Sequence, residues 1–255
     1  MSLSEKAPAS DERLDAVNDN IRLLQKKNGL TYGTDAYLLA AYLRPAHRAR
    51  AADLGTGTGI IPLLAQSRGK FSHVYAVEIQ ACFAELTERN VAENGMTDKI
   101  TVLHRDVTTL SPADFGGELD VVFSNPPYMT TGSGKRNEAD EKYIARHEVC
   151  GTIYDFCTAA SRILRYGGAF YVVYRPDRMA DLFDALHRAD LSPKRMTLVQ
   201  SDTETPPSML LLEAKKGAST GLVLDKTLLL YRDGATVKPR RLTDRAAQIY
   251  ETCSF

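Results

Sequence analysis

The chain has 255 residues, and its 32 Lys and Arg are balanced by 32 Asp and Glu, so bulk charge selects neither a nucleic acid nor an anionic membrane as partner. With 44% hydrophobic and 25% charged residues, it has the composition of a globular protein large enough for one α/β core. No run approaches eighteen apolar residues, the N-terminus does not read as a signal peptide, and Cys82, Cys150, Cys157 and Cys253 lack metal-ligand spacing; a cytoplasmic protein without metal or membrane is expected.

After a start that reads as disordered, Gly29 and Gly33 mark turns, and an apolar helix is expected from about Asp35 to Leu43, with Pro45 beyond it. From Ala51 the pattern becomes regular. "AADL" reads as a strand, "IIPLLAQSRG" as a helix, "HVYAVEI" as a strand, and "ACFAELTERNVAENG" as a helix capped by Gly95. "KITVLHRDV" and "LDVVFS" are two more strands. "TIYDFCTAASRILRYGG" reads as a helix, "AFYVVYR" as a strand, "DRMADLFDALHRAD" as a helix, and "RMTLVQS" and "SMLLLEAKK" as short strands. Strands alternating with helices predict a doubly wound, mostly parallel sheet: one α/β domain over residues 46–255 behind a short N-terminal extension, 1–45. The polar loop 130–142 is long enough to be a lid or a disordered segment.

"DLGTGTG", Asp53 to Gly59, falls where the first strand meets its helix. Glycines there let a ligand approach the backbone, and the helix start offers N–H groups, although a bare turn would use the same residues. Gly55, Gly57 and Gly59 alternate, unlike the dinucleotide fingerprint, and no Lys-Ser/Thr of a phosphate loop follows. Asp53 would repel phosphates and suit an ammonium group. Glu78 closes the second strand, where a carboxylate can accept both hydroxyls of a ribose, and Asp106 ends the third, within reach of an adenine amine. Each alone reads equally well as a solvated strand end. Three acids on one rim describe a pocket for a nucleoside with a cationic tail, a description that S-adenosylmethionine fits.

The fourth strand ends in Asn125-Pro126-Pro127-Tyr128. Two prolines cannot continue a strand, and the residue before a proline is held extended, so the tetrapeptide is stiff. Its Asn125 amide oxygen and Pro126 carbonyl can accept the two N–H bonds of a planar amine, and Tyr128 offers a face for a base.

Together these motifs resemble the class I S-adenosylmethionine-dependent amino-methyltransferases. With the lead-in "LTYGTDAYLLAAYL", with "IARHE" and with the tail "LYRDGATVKPRRLTDRAAQIYE", the chain is more narrowly similar to the tRNA (valine) adenine-N6 methyltransferases, which act beside the anticodon. The resemblance implies a Rossmann-like, seven-stranded fold and S-adenosylmethionine as cofactor. It implies cofactor contacts from Tyr32, Gly33, Thr34 and Asp35 over the methionine end, and from Asp53, Leu54, Gly55, Thr56, Gly57, Gly59, Glu78, Ile79, Asp106, Val107 and Asn125. It implies RNA, and tRNA among its classes, as partner, with no obligate protein partner. Cations that would meet RNA are Lys135, Arg136, Arg146, His147, Lys238, Arg240 and Arg241; each also reads as solvated surface. The same clamp would serve a glutamine side-chain amide in a protein or a guanine N2 amine, and a cofactor-binding scaffold without catalysis stands as the non-enzyme alternative.

Overall fold

A computed structural model describes residues 8–27, 33–127, 151–234 and 237–255. The hairpin of β1 (Glu12–Asn18) and antiparallel β2 (Ile21–Lys26) comes first. Then follow α1 (Thr34–Tyr42), β3 (Ala46–Leu54), α2 (Ile60–Ser67), β4 (Phe71–Glu78), α3 (Ala81–Glu93), β5 (Ile100–His104) and β6 (Leu119–Ser124). The second half holds α4 (Ile153–Ile163), β7 (Leu164–Tyr174), α5 (Met179–Arg188), β8 (Leu191–Gln200), β9 (Met209–Lys216), the two-residue strands β10 (Val223–Leu224) and β11 (Leu228–Leu229), and α6 (Asp244–Thr252).

Seven of these strands form a sheet in the order β5-β4-β3-β6-β7-β9-β8, and β10 and β11 extend its edge along β8. β9 runs antiparallel to both neighbours, and the other pairings are parallel. The alternation of strand side chains divides the interior in two. Ala51, Val121, Phe123, Tyr171 and Leu211 join a core with α1, α2 and α6. Their chain neighbours Ala52, Val122, Phe170, Leu210 and Leu212 join a second core with α4 and α5. Both faces are covered, which is why these strands read as unbroken apolar runs rather than as alternating ones.

The hairpin is a departure from the sequence reading, which placed no strand before Ala51. A two-stranded hairpin is marginal on its own. Here α3 supplies the missing partners. Asn90 accepts from Leu24 N at 2.6 Å and donates to Leu24 O at 3.1 Å, while Asn94, just past the helix end, accepts from Arg22 N at 3.0 Å and donates to Arg22 O at 2.7 Å. Four helical residues rise about 6 Å and two strand residues about 6.6 Å, so the two amides meet successive outward-facing peptides of β2 as a neighbouring strand would. Arg89 completes the attachment with two 2.9 Å bonds to the buried Glu12 carboxylate.

α1 is apolar all round, and every residue from Ala36 to Tyr42 is buried. Its last carbonyls cannot reach water. The Lys70 ammonium, 2% exposed, donates to the carbonyls of Ala40 (2.8 Å), Ala41 (3.2 Å) and Leu43 (2.8 Å), a cation placed at the negative end of the helix. Burial pushes its pKa down to about 8.

The C-terminal stretch, read from sequence as a basic tail, contains α6. The Thr243 hydroxyl caps it by accepting from Ala246 N at 3.1 Å, and Ala246 and Ile249 are fully buried. Among the described residues no helix is long and apolar enough to cross a membrane, and no group of three or more His, Cys, Asp or Glu is gathered for a metal ion.

Candidate functional site

Neighbouring strands β3 and β6 are paired through Asp53 and Phe123, yet their connections diverge: β3 leads towards β4 and β5, and β6 towards β7. Open α/β sheets bind ligands outside the carboxyl ends of strands at such a switch point. The Ser124 hydroxyl donates to Leu54 O at 2.7 Å and ties the two strand ends together. The glycine-rich turn and the Asn-Pro-Pro segment therefore leave the sheet side by side.

Gly55, Gly57 and Gly59 have φ of 74°, 59° and 80°, which accounts for their alternation. A Cβ on Gly59 would stand 2.7 Å from Thr87 Cγ2 of α3, whereas one on Gly57 would meet nothing within 4 Å. Amides of the turn itself, ahead of the helix start at Ile60, have partners within the protein. Gly55 N and Thr56 N both donate to Val77 O at 2.9 Å, and Gly57 N donates to Glu78 Oε2 at 2.9 Å. What it leaves for a ligand is open space over Gly57.

Asp53 is fully buried. Its Oδ2 accepts from the Thr56 hydroxyl at 2.7 Å, and its Oδ1 has no hydrogen-bond partner. Burial raises its pKa to about 7, opposed by the Thr56 bond and reinforced by the Glu78 charge. A buried carboxylate oxygen without a donor is costly unless a ligand supplies one. Glu78, 4% exposed, has its pKa raised by burial, and its other oxygen accepts from Gln80 N at 2.9 Å. The Ile79 backbone and the Gln80 side chain also hydrogen-bond this carboxylate and oppose the effect of burial. Asp106 is half-buried and accepts from Thr108 N at 2.8 Å, capping a short 3-10 turn over Val107–Thr109. Val107 is buried in the second core, and half-buried Ile79 has its carbonyl 2.9 Å from His104 Nε2. This set of acids fits a nucleoside with a cationic tail: an orphaned acid for a cation, a second buried acid at the end of the neighbouring strand, and a third at the far strand.

On the other side of the switch point, Asn125 is half-buried, Pro126 buried and Pro127 half-buried. The Asn125 side-chain nitrogen donates to Asp35 Oδ2 at 2.8 Å. Asp35 lies in the first turn of α1, just after Thr34 and Gly33. The family resemblance puts Asp35 among the cofactor contacts; its bond to the Asn125 amide spans ninety residues and leaves no local signal in the sequence. Ser124 and Thr87 also carry hydroxyls that fix the site without standing out in sequence; Thr87 donates to Gly57 O at 2.7 Å.

The expected RNA cations are less available than their number suggests. Arg240 is 3.4 Å from the buried Asp202 carboxylate and lies over the Tyr231 ring, and Arg241 makes two 3.0 Å bonds to Asp233. Lys238 is exposed. Tyr32, Tyr128, Lys135, Arg136, Arg146 and His147 lie outside the described residues, as does the loop 130–142.

The chain is 27% identical over 211 residues to a tRNA1(Val) (adenine(37)-N6)-methyltransferase of Dyadobacter fermentans, covering 81% of this chain and 85% of that one. A protein of the same name from Bacteroides fragilis is 29% identical over 186 residues, with coverage of 73% and 77%. Among solved structures, a predicted O-methyltransferase from Agrobacterium tumefaciens superimposes with a TM-score of 0.68 at 22% identity, over 87% of this chain and 97% of its own; this likeness is one of fold. Residues 27–187, more than half of the chain, match the model of the methyltransferase small domain, and the chain belongs to that family.

Proposed function

We propose that this chain transfers the methyl group of S-adenosylmethionine to the N6 amine of an adenosine in tRNA, beside the anticodon. One observation carries the chemistry: the orphaned, buried Asp53 carboxylate and the rigid Asn125-Pro126-Pro127 segment stand at the same switch point. The names of the relatives support the acceptor.

When bound, the cofactor supplies an electrophilic methyl on a sulfonium, which becomes a thioether as the methyl leaves. Asp53 is matched to the ammonium of its amino-acid end, together with the segment from Tyr32 to Thr34 and the turn of Leu54, Gly55, Thr56, Gly57 and Gly59. Glu78 is matched to the ribose hydroxyls. Asp106, with Ile79 and Val107 beside it, is matched to the adenine.

An exocyclic adenine amine is a weak nucleophile, because its lone pair is delocalised into the ring. Asn125 Oδ1 and the Pro126 carbonyl accept its two N–H bonds and favour a pyramidal nitrogen whose lone pair is directed outwards. Pro126 and Pro127 keep these acceptors from reorganising, and Tyr128 stacks on the base. The new N–C bond forms as the S–C bond breaks, and the amine loses its proton to water afterwards, so no strong base is needed. Alignment of the reactants supplies most of the rate, a contribution of up to roughly 7–11 kcal/mol. Lys135, Arg136, Arg146, His147 and Lys238 would meet the RNA backbone; Arg240 and Arg241 would first have to leave Asp202 and Asp233.

The test is incorporation of methyl label from S-adenosylmethionine into unmodified total tRNA, ribosomal RNA, duplex DNA and release factors, followed by digestion. Label in N6-methyladenosine from one tRNA is expected. Label in a protein amide would move the acceptor to glutamine, and no label from cofactor-loaded protein would leave a scaffold.

A further inference from the structure

The geometry points to Asp35 as a positioning residue that holds the Asn125 amide with its oxygen towards the acceptor amine. The inference rests on the methyl-transfer reading above and adds a residue that acts through Asn125.

A side-chain amide has two ends of nearly equal shape and opposite hydrogen-bonding sense. An acceptor clamp works only one way round. With the nitrogen turned inwards, Asn125 would set a donor against the N–H bonds of the substrate amine. Something must therefore decide the orientation, and a carboxylate decides it without ambiguity because an ionised carboxylate only accepts. The 2.8 Å bond from Asn125 Nδ2 to Asp35 Oδ2 fixes the nitrogen on the side of α1 and so places Oδ1 on the diverging side of the amide. A charged acceptor on the nitrogen also polarises the amide and makes its oxygen a stronger acceptor.

Two further observations describe the surroundings of Asp35. With Thr34, Tyr174, Arg175, Pro207 and Met209 it lines a cavity of about 550 Å³ beyond the ends of β7 and β9, which neither the glycine-rich turn, Glu78 and Asp106 nor the Asn125-Pro126-Pro127 segment lines. Gly33 leaves room for the carboxylate: its backbone, at φ −110° and ψ 178°, is open to any residue, yet a Cβ there would stand 2.5 Å from Asp35 Oδ1. A side chain at Gly33 would thus require the carboxylate to shift.

The test separates turnover from binding. Asp35→Asn removes the acceptor-only partner and lets the facing amide turn either way. At saturating cofactor and tRNA, kcat should fall about 10- to 100-fold, the scale of a slightly misplaced reacting group. The dissociation constants for S-adenosylmethionine and tRNA should stay within about threefold. In an Asn125→Ala background, Asp35→Asn should cost nothing further, since its route of action has gone. Gly33→Ala keeps the charge and displaces the carboxylate; it should show the same pattern more weakly, and it stands in for Asp35→Asn should that variant fail to fold.

A readout without turnover is the side-chain amide resonance of Asn125 in ligand-free, 15N-Asn-labelled protein, assigned by its loss in Asn125→Ala. Asp35→Asn, or Gly33→Ala in its place, should shift that resonance. An unmoved resonance, an unchanged kcat, or a weakened cofactor affinity with kcat preserved would each overturn the assignment. A wild-type protein that binds cofactor yet methylates none of the acceptors would sink the methyl-transfer reading instead, and the resonance would still report on the pair.

Discussion

Glu78 closes β4 with one carboxylate oxygen 2.9 Å from the backbone nitrogen of Gly57, so the acid at one strand end shapes the turn that leaves the next. Its second oxygen holds Gln80 N at 2.9 Å. Glu78→Ala removes both acceptors together with the proposed ribose contact. Hydrogen bonds to a charged group are worth about 1.5–3 kcal/mol, so the dissociation constant for S-adenosylmethionine should rise about 10- to 100-fold by titration calorimetry. Unchanged affinity would remove Glu78 from the cofactor site.

Asn125→Ala should behave in the opposite way. The proposed role of Asn125 is exercised on the acceptor amine, so cofactor affinity should stay within a few-fold. Turnover should drop by roughly 10²–10³, the cost of deleting one preorganised polar group from an active site. Single-turnover methylation at saturating cofactor reads this directly, and retention of most of the wild-type rate would refute the clamp.

Asp53 predicts how affinity depends on pH. Its folded pKa, about 7, is raised above the ordinary 3.8 by burial. Its contribution to stability is therefore fully present below pH 3.8 and lost as pH rises through about 7. In ligand-free protein, Asp53→Asn should raise the Tm at pH 8 and leave it nearly unchanged at pH 4. A cationic ligand favours the ionised form, so wild-type S-adenosylmethionine binding should strengthen from pH 6 to pH 8 and release a proton near pH 6.5. Calorimetry in buffers of different ionisation enthalpy detects that proton; its absence would mean that the cation binds elsewhere.

The Glu12–Arg89 pair makes the hairpin a sensor of acid. Arg89 holds the Glu12 pKa down to about 2 against an ordinary 4.5. The stability it confers is present above pH 4.5 and disappears as pH falls towards 2. Glu12→Gln leaves a cation against α3 with no carboxylate and should lower the Tm by several degrees at pH 7, with a smaller difference at pH 3. Equal Tm values at pH 7 would show that the hairpin draws its attachment from Asn90 and Asn94 alone.

How far the sequence discloses this molecule depends on how local each determinant is. The sheet was legible because the buried parts of parallel strands, residues 51–54 of β3 (Ala46–Leu54) and most of β6 (Leu119–Ser124), are short apolar runs, and their ends marked the rim. Asp53, Glu78 and Asn125 were legible for the same reason: each stands at a strand end. The hairpin was not, since the amides that complete β2 sit on α3, some seventy residues further on. Charge was the least legible property. Arg240 and Arg241 read as cations for RNA in the sequence, whereas Asp202 and Asp233 stand beside them in the fold.

The burial of Lys70 bears on the chemistry from a distance. Its ammonium grips the carbonyls at the C-terminal end of α1, while Asp35 engages Asn125 from the first turn of the same helix. A helix secured at both ends behaves as a gauge block. One residue inserted or deleted between Asp35 and Ala40 would turn the carboxylate by about 100° and move it about 1.5 Å along the axis, away from the amide. The number of residues in that interval is therefore under as strict a constraint as their identity, and length variation among relatives should fall outside it.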